Sequence, residues 1–449
     1  MDKKLTQSRA LAVPSHRMTR FGKLSGMTAG IAGNMALNGI AQFSQGQRPT
    51  VRDLLLTPRN IKRVAEQLAQ MRGAAMKIGQ LMSMDSGEIL PPELAQIMAR
   101  LRNDTHFMPP AQLKQVLSAQ WSDQWLKSFR RFDVRPIAAA SIGQVHRAQL
   151  KDGRDMAIKV QYPGVAKSID SDVANVGALM RMSGLLPKGF DIAPYLEEAR
   201  KQLHEETDYA READQLEQFS ALIAEKPGFV CPQVHRDWST PEILAMSYVS
   251  GIPIDETTNL PQQTRDRIAE RMIELTLEEL FDFGVMQTDP NFANYLFDPE
   301  TEDIALLDFG AAREIDPKIA AQYRDLLAAG LAGDRSEIAR VSQDIGFFTT
   351  DTDDIHQDQI IGMIEFVFKN LGETRPFDFA TNDLSMRMQA MGMALAESGF
   401  IPPPLPIDIL LVQRKLGGMF LLAKRLGARV DAAALLKQRV ACVDARRVG

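Results

Sequence analysis

Cysteine is almost missing. The 449 residues contain two, Cys231 and Cys442. Neither belongs to a CxxC pair or stands near a histidine cluster, which argues against a disulfide framework or a structural zinc site. Such cysteine usage predicts a reducing, cytoplasmic compartment. An excess of positive charge is missing too. The formal net charge is -5, so nothing overall points to nucleic acid as a partner. The charged N-terminus is not followed by the compact apolar run of a signal peptide. Internal repeats and low-complexity segments are also absent. What remains is ordinary for a globular chain: 45% hydrophobic and 24% charged residues, able to bury a large core.

One segment lacks charge altogether. Residues 24–47 carry none and follow Arg17, Arg20 and Lys23. Gly26 and Gly30 have the small-xxx-small spacing that lets helices approach closely. Asn34, Asn38, Gln42, Ser44 and Gln45, however, are expensive inside lipid. Residues 1–50 therefore read as a flexible or helical lead-in. Membrane contact, or a pairing face that would make a homodimer, is the alternative. No other stretch approaches the roughly 20 apolar residues of a spanning helix.

Residues 51–128 read as a helical extension, punctuated by Pro58, Pro91-Pro92 and Pro109-Pro110. The pattern changes near Phe129. Gln144 to Leu150 alternates, Lys151-Asp152-Gly153 turns, and Asp155 to Val160 follows, which predicts a hairpin. Residues 165–225 return to helix, and 241–249 read as a further strand. Beyond Pro261 the chain reads as mostly helical, except for a short hairpin within 295–309. Strands followed by helices imply an α+β fold rather than a doubly wound sheet. The expected domains are a small lobe at 129–250 with a helical insert at about 165–225, and a large helical lobe at 251–449.

The chemistry-bearing residues concentrate at 287–310. Gln287-Thr-Asp289-Pro-Asn-Phe-Ala-Asn294 places an Asp five positions before an Asn, and Asp308-Phe309-Gly310 follows. In kinase chemistry the first Asp orients or deprotonates the acceptor, while the Asn and the second Asp bind magnesium. Magnesium takes hard oxygen ligands, a few from protein and the rest from phosphate and water. Either motif alone could be a polar turn flanking a hairpin. In order and closely spaced they point to phosphoryl transfer from Mg2+ and ATP. Upstream, Ala157-Ile158-Lys159 ends a strand, as the phosphate-pairing lysine of kinases does. Its bland reading is a snorkelling strand lysine. Lys159 follows Ala138-Ala139-Ala140-Ser141-Ile142-Gly143, where kinases carry a glycine-rich loop. Met246-Ser247-Tyr-Val249 is placed like a hinge, whose backbone would bond adenine. It is the agreement in order that carries this kinase-like reading.

Several features depart from ordinary protein kinases: the alanine-rich loop, Lys77-Ile-Gly79-Gln80 in the extension, and Glu206-Thr-Asp208-Tyr-Ala-Arg-Glu212 in the insert. In these the chain resembles the UbiB/AarF atypical kinases, from about residue 70 to about 425. The Gln-Thr-Asp-Pro-Asn loop is similar to the subgroup of mitochondrial coenzyme Q kinase-like proteins. The resemblance implies a protein-kinase-like two-lobed α+β fold with a helical KxGQ extension and a helical insert in the small lobe. It also implies that Lys159 pairs with Glu212 and holds phosphates, Asp289 serves the catalytic loop, and Asn294 and Asp308 hold magnesium. Lys77 and Gln80 would belong to an extension packed over the cleft, with Glu206 and Asp208 lining it, so that peptide substrates are restricted. An ATPase or atypical kinase supporting ubiquinone biosynthesis is the implied function. ATP or ADP, lipid quinone precursors, a membrane surface and quinone-biosynthesis proteins are the implied partners, with peripheral attachment to the inner membrane.

Physics is compatible with these roles. Alanine carries a Cβ that glycine lacks, so an alanine-rich loop should be stiffer. Without the resemblance, Lys77, Glu206 and Asp208 would pass for solvated helix residues. After Gly310 the chain passes directly to Ala-Ala-Arg-Glu and helix-like sequence, with no APE motif. Arg414-Lys-Leu-Gly-Gly418 reads as core packing of the helical lobe. Two other functions compete: a nucleotide-dependent scaffold without catalysis, and a small-molecule phosphotransferase.

Overall fold

The alternating run that begins at Gly143 becomes the central strand of an antiparallel sheet, because its outward and inward positions differ in polarity as a half-buried strand requires. The computed structural model describes residues 68, 71–85, 107–140, 142–183, 191–373 and 375–448. The uncharged segment 24–47, with its Gly26–Gly30 spacing, and Ser141 lie outside the described residues, as do the side chains of Gln80 and Cys442. The chain divides into two units, residues 1–217 with 233–248, and residues 218–232 with 249–449.

In chain order the described helices are α1 (Arg72–Asp85), α2 (Pro110–Gln120), α3 (Val165–Ser183), α4 (Ala193–Glu206), α5 (Tyr209–Leu222) and α6 (Gln262–Glu278). They continue with α7 (Pro317–Ala332), α8 (Arg335–Ile345), α9 (Asp354–Glu373), α10 (Leu384–Glu397), α11 (Ile407–Leu426) and α12 (Ala432–Val448). The strands are β1 (Phe129–Phe132), β2 (Ala138–Ala139), β3 (Gly143–Leu150), β4 (Asp155–Gln161), β5 (Phe229–Val230), β6 (Ile243–Ser247) and β7 (Ile252–Pro253). They end with β8 (Val285–Gln287), β9 (Tyr295–Phe297), β10 (Ile304–Leu306), β11 (Ala312–Glu314), β12 (Phe377–Asp378) and β13 (Arg429–Val430).

The first unit carries the sheet β1-β3-β4-β6, with β2 paired to β3. Register runs from Gly143 opposite Gln161 to Gln149 opposite Asp155, and Gly153 closes the turn at φ +101°. Met156, Ile158 and Val160 of β4 point into a core shared with Leu113, Leu117 and the aromatic side chains Trp121, Trp125, Phe129 and Trp238. Alternation therefore turns Lys159 to the other face. Helix α1 buries Ala74, Ala75, Ile78 and Leu81 and packs with α3 and α4.

The second unit joins the sheet β5-β10-β9-β7 and the pair β8-β11 to helices α6–α12. Its core includes Leu280, Met286, Tyr323, Ile338, Val341, Phe348 and Val412. Asp316 and Asp334 cap α7 and α8 by accepting main-chain N–H bonds, and Gly333 and Gly346 end them in the left-handed region. The Ala-Ala-Arg-Glu stretch read as helix-like is a strand instead. Ala312–Glu314 pairs antiparallel with β8, opposite Gln287–Val285, and helix begins only at Pro317. Among the described residues no helix is long and apolar enough to cross a membrane.

Candidate functional site

In the first unit Lys159 has a partner. Lys159 Nζ donates to Glu212 Oε1 at 2.7 Å and Oε2 at 2.9 Å, across 53 residues of sequence, and both side chains are buried. Glu212 stands in the first turn of α5, where the helix dipole favours a carboxylate. Asp208 fixes that turn, its carboxylate accepting the Arg211 N–H at 3.0 Å. Glu206 ends α4 and accepts from Lys77 Nζ at 2.7 Å, so the KxGQ and ExD segments are joined by a largely buried ion pair. Gln80 lies on the same helix as Lys77.

The alanine-rich loop is a hairpin with its own hydrogen bonds. Ala138 pairs with Val145 and Ala139 with Gln144, while the Ala140 N–H bonds the Gly143 carbonyl at 2.9 Å. A Cβ at Gly143 would stand 2.4 Å from the Val160 carbonyl oxygen, so β3 and β4 approach too closely there for any other residue. Gln144 and His146 serve the scaffold. Gln144 Oε1 accepts the Met108 N–H, its amide nitrogen reaches His146 Nε2 at 2.8 Å, and His146 Nδ1 bonds the Asp133 carbonyl. Ser247 ends β6 with its N–H bonded to the Gln233 carbonyl and its hydroxyl accepting the Gln233 N–H. Val249 opens the second unit.

In the second unit the catalytic loop and the Asp308 segment are side by side. The hairpin β9-β10 sets Tyr295 opposite Leu306, and the Leu307 N–H bonds the Asn294 carbonyl at 3.0 Å. Asp308 accepts the Gly310 N–H at 3.0 Å. Phe309 is buried, 5.0 Å from Phe219. Thr288 bonds the Ala311 carbonyl through both its N–H and its hydroxyl. Asp289 accepts from Arg414 Nη2 at 2.6 Å and from Asn294 Nδ2 at 3.4 Å.

Sequence similarity says which lineage supplied these residues. Residues 100–342 match the ABC1 atypical kinase-like domain. The atypical kinase COQ8, mitochondrial, of Saccharomyces cerevisiae is 37% identical, over 95% of this chain and 85% of that protein. The chain belongs to the ABC1 atypical kinase-like family. Rat COQ8B, named an atypical kinase and mitochondrial, is 35% identical over 94% of this chain and 80% of its own length. A solved chain of Rv3197 from Mycobacterium tuberculosis, in complex with erythromycin, has a TM-score of 0.58 at 22% identity. It covers 84% of this chain and 95% of that one, and shares the fold. The protein is thus an atypical kinase by family, with a kinase-like α+β fold.

In this ABC1 family member, motif reading also missed three residues that contact the 287–294 loop. Arg414, Lys415 and Gly418 of α11 all face the catalytic loop: Arg414 on Asp289, Lys415 on Gln287 at 3.4 Å, and Gly418 against Pro290. Core packing describes Leu411, Val412, Met419 and Leu422 of this helix but not Arg414 and Lys415. The signal was available. Consecutive charges inside an apolar helix have to find partners. Asn294 and Asp308 offer oxygen donors, which suit magnesium rather than zinc or copper. Among the described residues no group of three or more His, Cys, Asp or Glu could hold a metal. Such a group is not needed where phosphate and water complete the shell.

Proposed function

We propose that this atypical kinase binds ATP with magnesium and couples its turnover to ubiquinone biosynthesis from a peripheral position on a membrane. The buried Lys159–Glu212 ion pair is the observation that carries the nucleotide assignment. A buried lysine on a mostly apolar strand keeps a charge partner at a cost in desolvation, which is sensible where anionic phosphates must be received. In this reading Lys159 holds phosphate oxygens, the hairpin Ala138–Gly143 lies along them, and the Ser247 and Val249 backbone meets the base. Asn294 and Asp308 hold magnesium, whose charge offsets that of the phosphates. Asp289 orients the acceptor. The N-terminal extension, fastened by Lys77 to Glu206, restricts larger acceptors, so water or a small lipid-related molecule is the acceptor class.

A scaffold without catalysis is favoured by one observation. The Asp289 carboxylate is already engaged by Arg414 and Asn294. Thermal unfolding with and without magnesium and ATP or ADP separates the possibilities. A ligand at 100 times its Kd adds about 2.7 kcal/mol. Wild type should shift upward with magnesium nucleotide, and Asp308→Asn should lose most of that shift together with ATP turnover. No shift with either nucleotide would remove the nucleotide assignment. A shift without any turnover would leave the scaffold.

A further inference from the structure

Behind the catalytic loop of the second unit, four polar side chains meet out of reach of solvent. Lys415 on α11 and Glu279, which opens the π-helical turn Glu279–Phe283, are each 1% exposed, with Nζ 3.1 Å from Oε2. Lys415 Nζ also donates to the Tyr295 hydroxyl at 3.2 Å and to Gln287 Oε1 at 3.4 Å. The Tyr295 hydroxyl donates to the same Gln287 oxygen at 3.3 Å. These donors decide which way the carboxamide faces. Its nitrogen then donates to the main-chain carbonyl of Asp308 at 3.4 Å. The Gln287 amide thus accepts at its oxygen and donates at its nitrogen, linking Lys415 and Tyr295 to the Asp308 carbonyl. Gln287 stands two residues before Asp289, and Asp308 is the residue whose carboxylate would hold magnesium.

Stability alone does not explain the pair. Replacing a buried ion pair by well-packed neutral residues is often neutral or stabilising. Burial pushes Glu279 up to about 7, opposed by Lys415 and by the Gln287 main-chain N–H. For Lys415 burial works against the charge, but Glu279 and Tyr295 more than offset it. Insertions of π-helix into α-helices recur at functional sites.

We propose that Lys415 and Glu279 are positioning residues. By fixing the Gln287 amide they fix the Asp308 carbonyl, and with it the aim of the Asp308 carboxylate. This deepens the magnesium–nucleotide assignment above and rests on it for its catalytic meaning. The test is the double variant Lys415→Met/Glu279→Gln, which removes both charges and keeps the shape. Three quantities are read: amide hydrogen exchange at 287–294 and 308–310 without nucleotide, the magnesium concentration giving half the ADP-induced thermal shift, and ATP turnover.

Exchange should quicken in those two segments while α7 and α8 keep their protection. The magnesium requirement should rise about 10- to 100-fold, as supporting residues of metal ligands typically produce. A folded double variant with wild-type exchange and wild-type magnesium requirement would overturn the proposal and leave the nucleotide assignment standing. If wild type itself shows neither magnesium shift nor turnover, the nucleotide assignment falls, and local exchange alone decides whether the network holds the loop. Gln287→Met carries the same readouts if the double variant does not fold.

Discussion

His146 is fully buried between Gln144 and the Asp133 carbonyl, and burial lowers its pKa to about 4. The unfolded chain binds this proton near pH 6.5, and the folded chain refuses it until about 4. Stability is therefore complete above pH 6.5 and is lost as pH falls across that window, by at most about 1.4 kcal/mol per pH unit. Urea unfolding at pH 7 and pH 5 should show a smaller acid loss for His146→Gln than for wild type. Equal losses would mean that the histidine takes its proton in both states. The opposite chemistry governs Lys159. Its charge is paired with Glu212, and Glu212→Ala would take that carboxylate away from a buried ammonium, at a cost of about 3–5 kcal/mol. A midpoint shift far below that size would show that water or a neighbour replaces the carboxylate. Motif order singled out Lys159 in the sequence, and the family resemblance alone singled out Glu212 as its partner. His146 carried no such signal, because burial is decided by the packing of residues 107–108 and 133 around it.

At the scale of elements, legibility followed length and alternation. The hairpin at 143–161 was readable because β3 alternates and its turn contains Asp-Gly, and the one at 295–306 because its turn contains Asp-Pro. β8, β11 and β12 are only two or three residues long, too short for any period, and exist because neighbouring chain offers them partners. The approach of α11 to the catalytic loop was hidden for the same reason. It depends on a contact between residues far apart in sequence. A Cβ on Gly418 would lie 2.2 Å from the Pro290 Cβ, and neither the helix nor the proline ring can yield cheaply. Gly418→Ala should push Pro290, and with it Asp289, away from α11. Displacement of about an ångström can cost 100-fold in turnover. Steady-state ATP hydrolysis should fall by about that factor while far-UV circular dichroism stays at wild type. Unchanged hydrolysis would show that the loop finds room elsewhere.

For the whole molecule, no single motif carried the assignment. Loop, lysine, ExD segment, catalytic loop and Asp308 occur in one order, and that order is a property of the chain rather than of any element. In the extension, Lys77 joins this scheme through an ion pair. Lys77 Nζ reaches Glu206 at 2.7 Å, while the apolar face of α1 stays buried through Ala74, Ala75 and Ile78. Lys77→Ala therefore removes the charge contact without removing the packing. If the extension limits which acceptors reach the phosphate, its loosening should let the protein label itself. Incorporation of radioactive γ-phosphate should rise above wild type while the ADP-induced thermal shift is retained. Glu206→Gln breaks the same contact from the other side and should behave alike. Two variants that bind nucleotide and remain as silent as wild type would make the pair a fastening of the fold with no part in acceptor choice. A response from Lys77→Ala alone would instead place the lysine itself, rather than the ion pair, in control of the reaction.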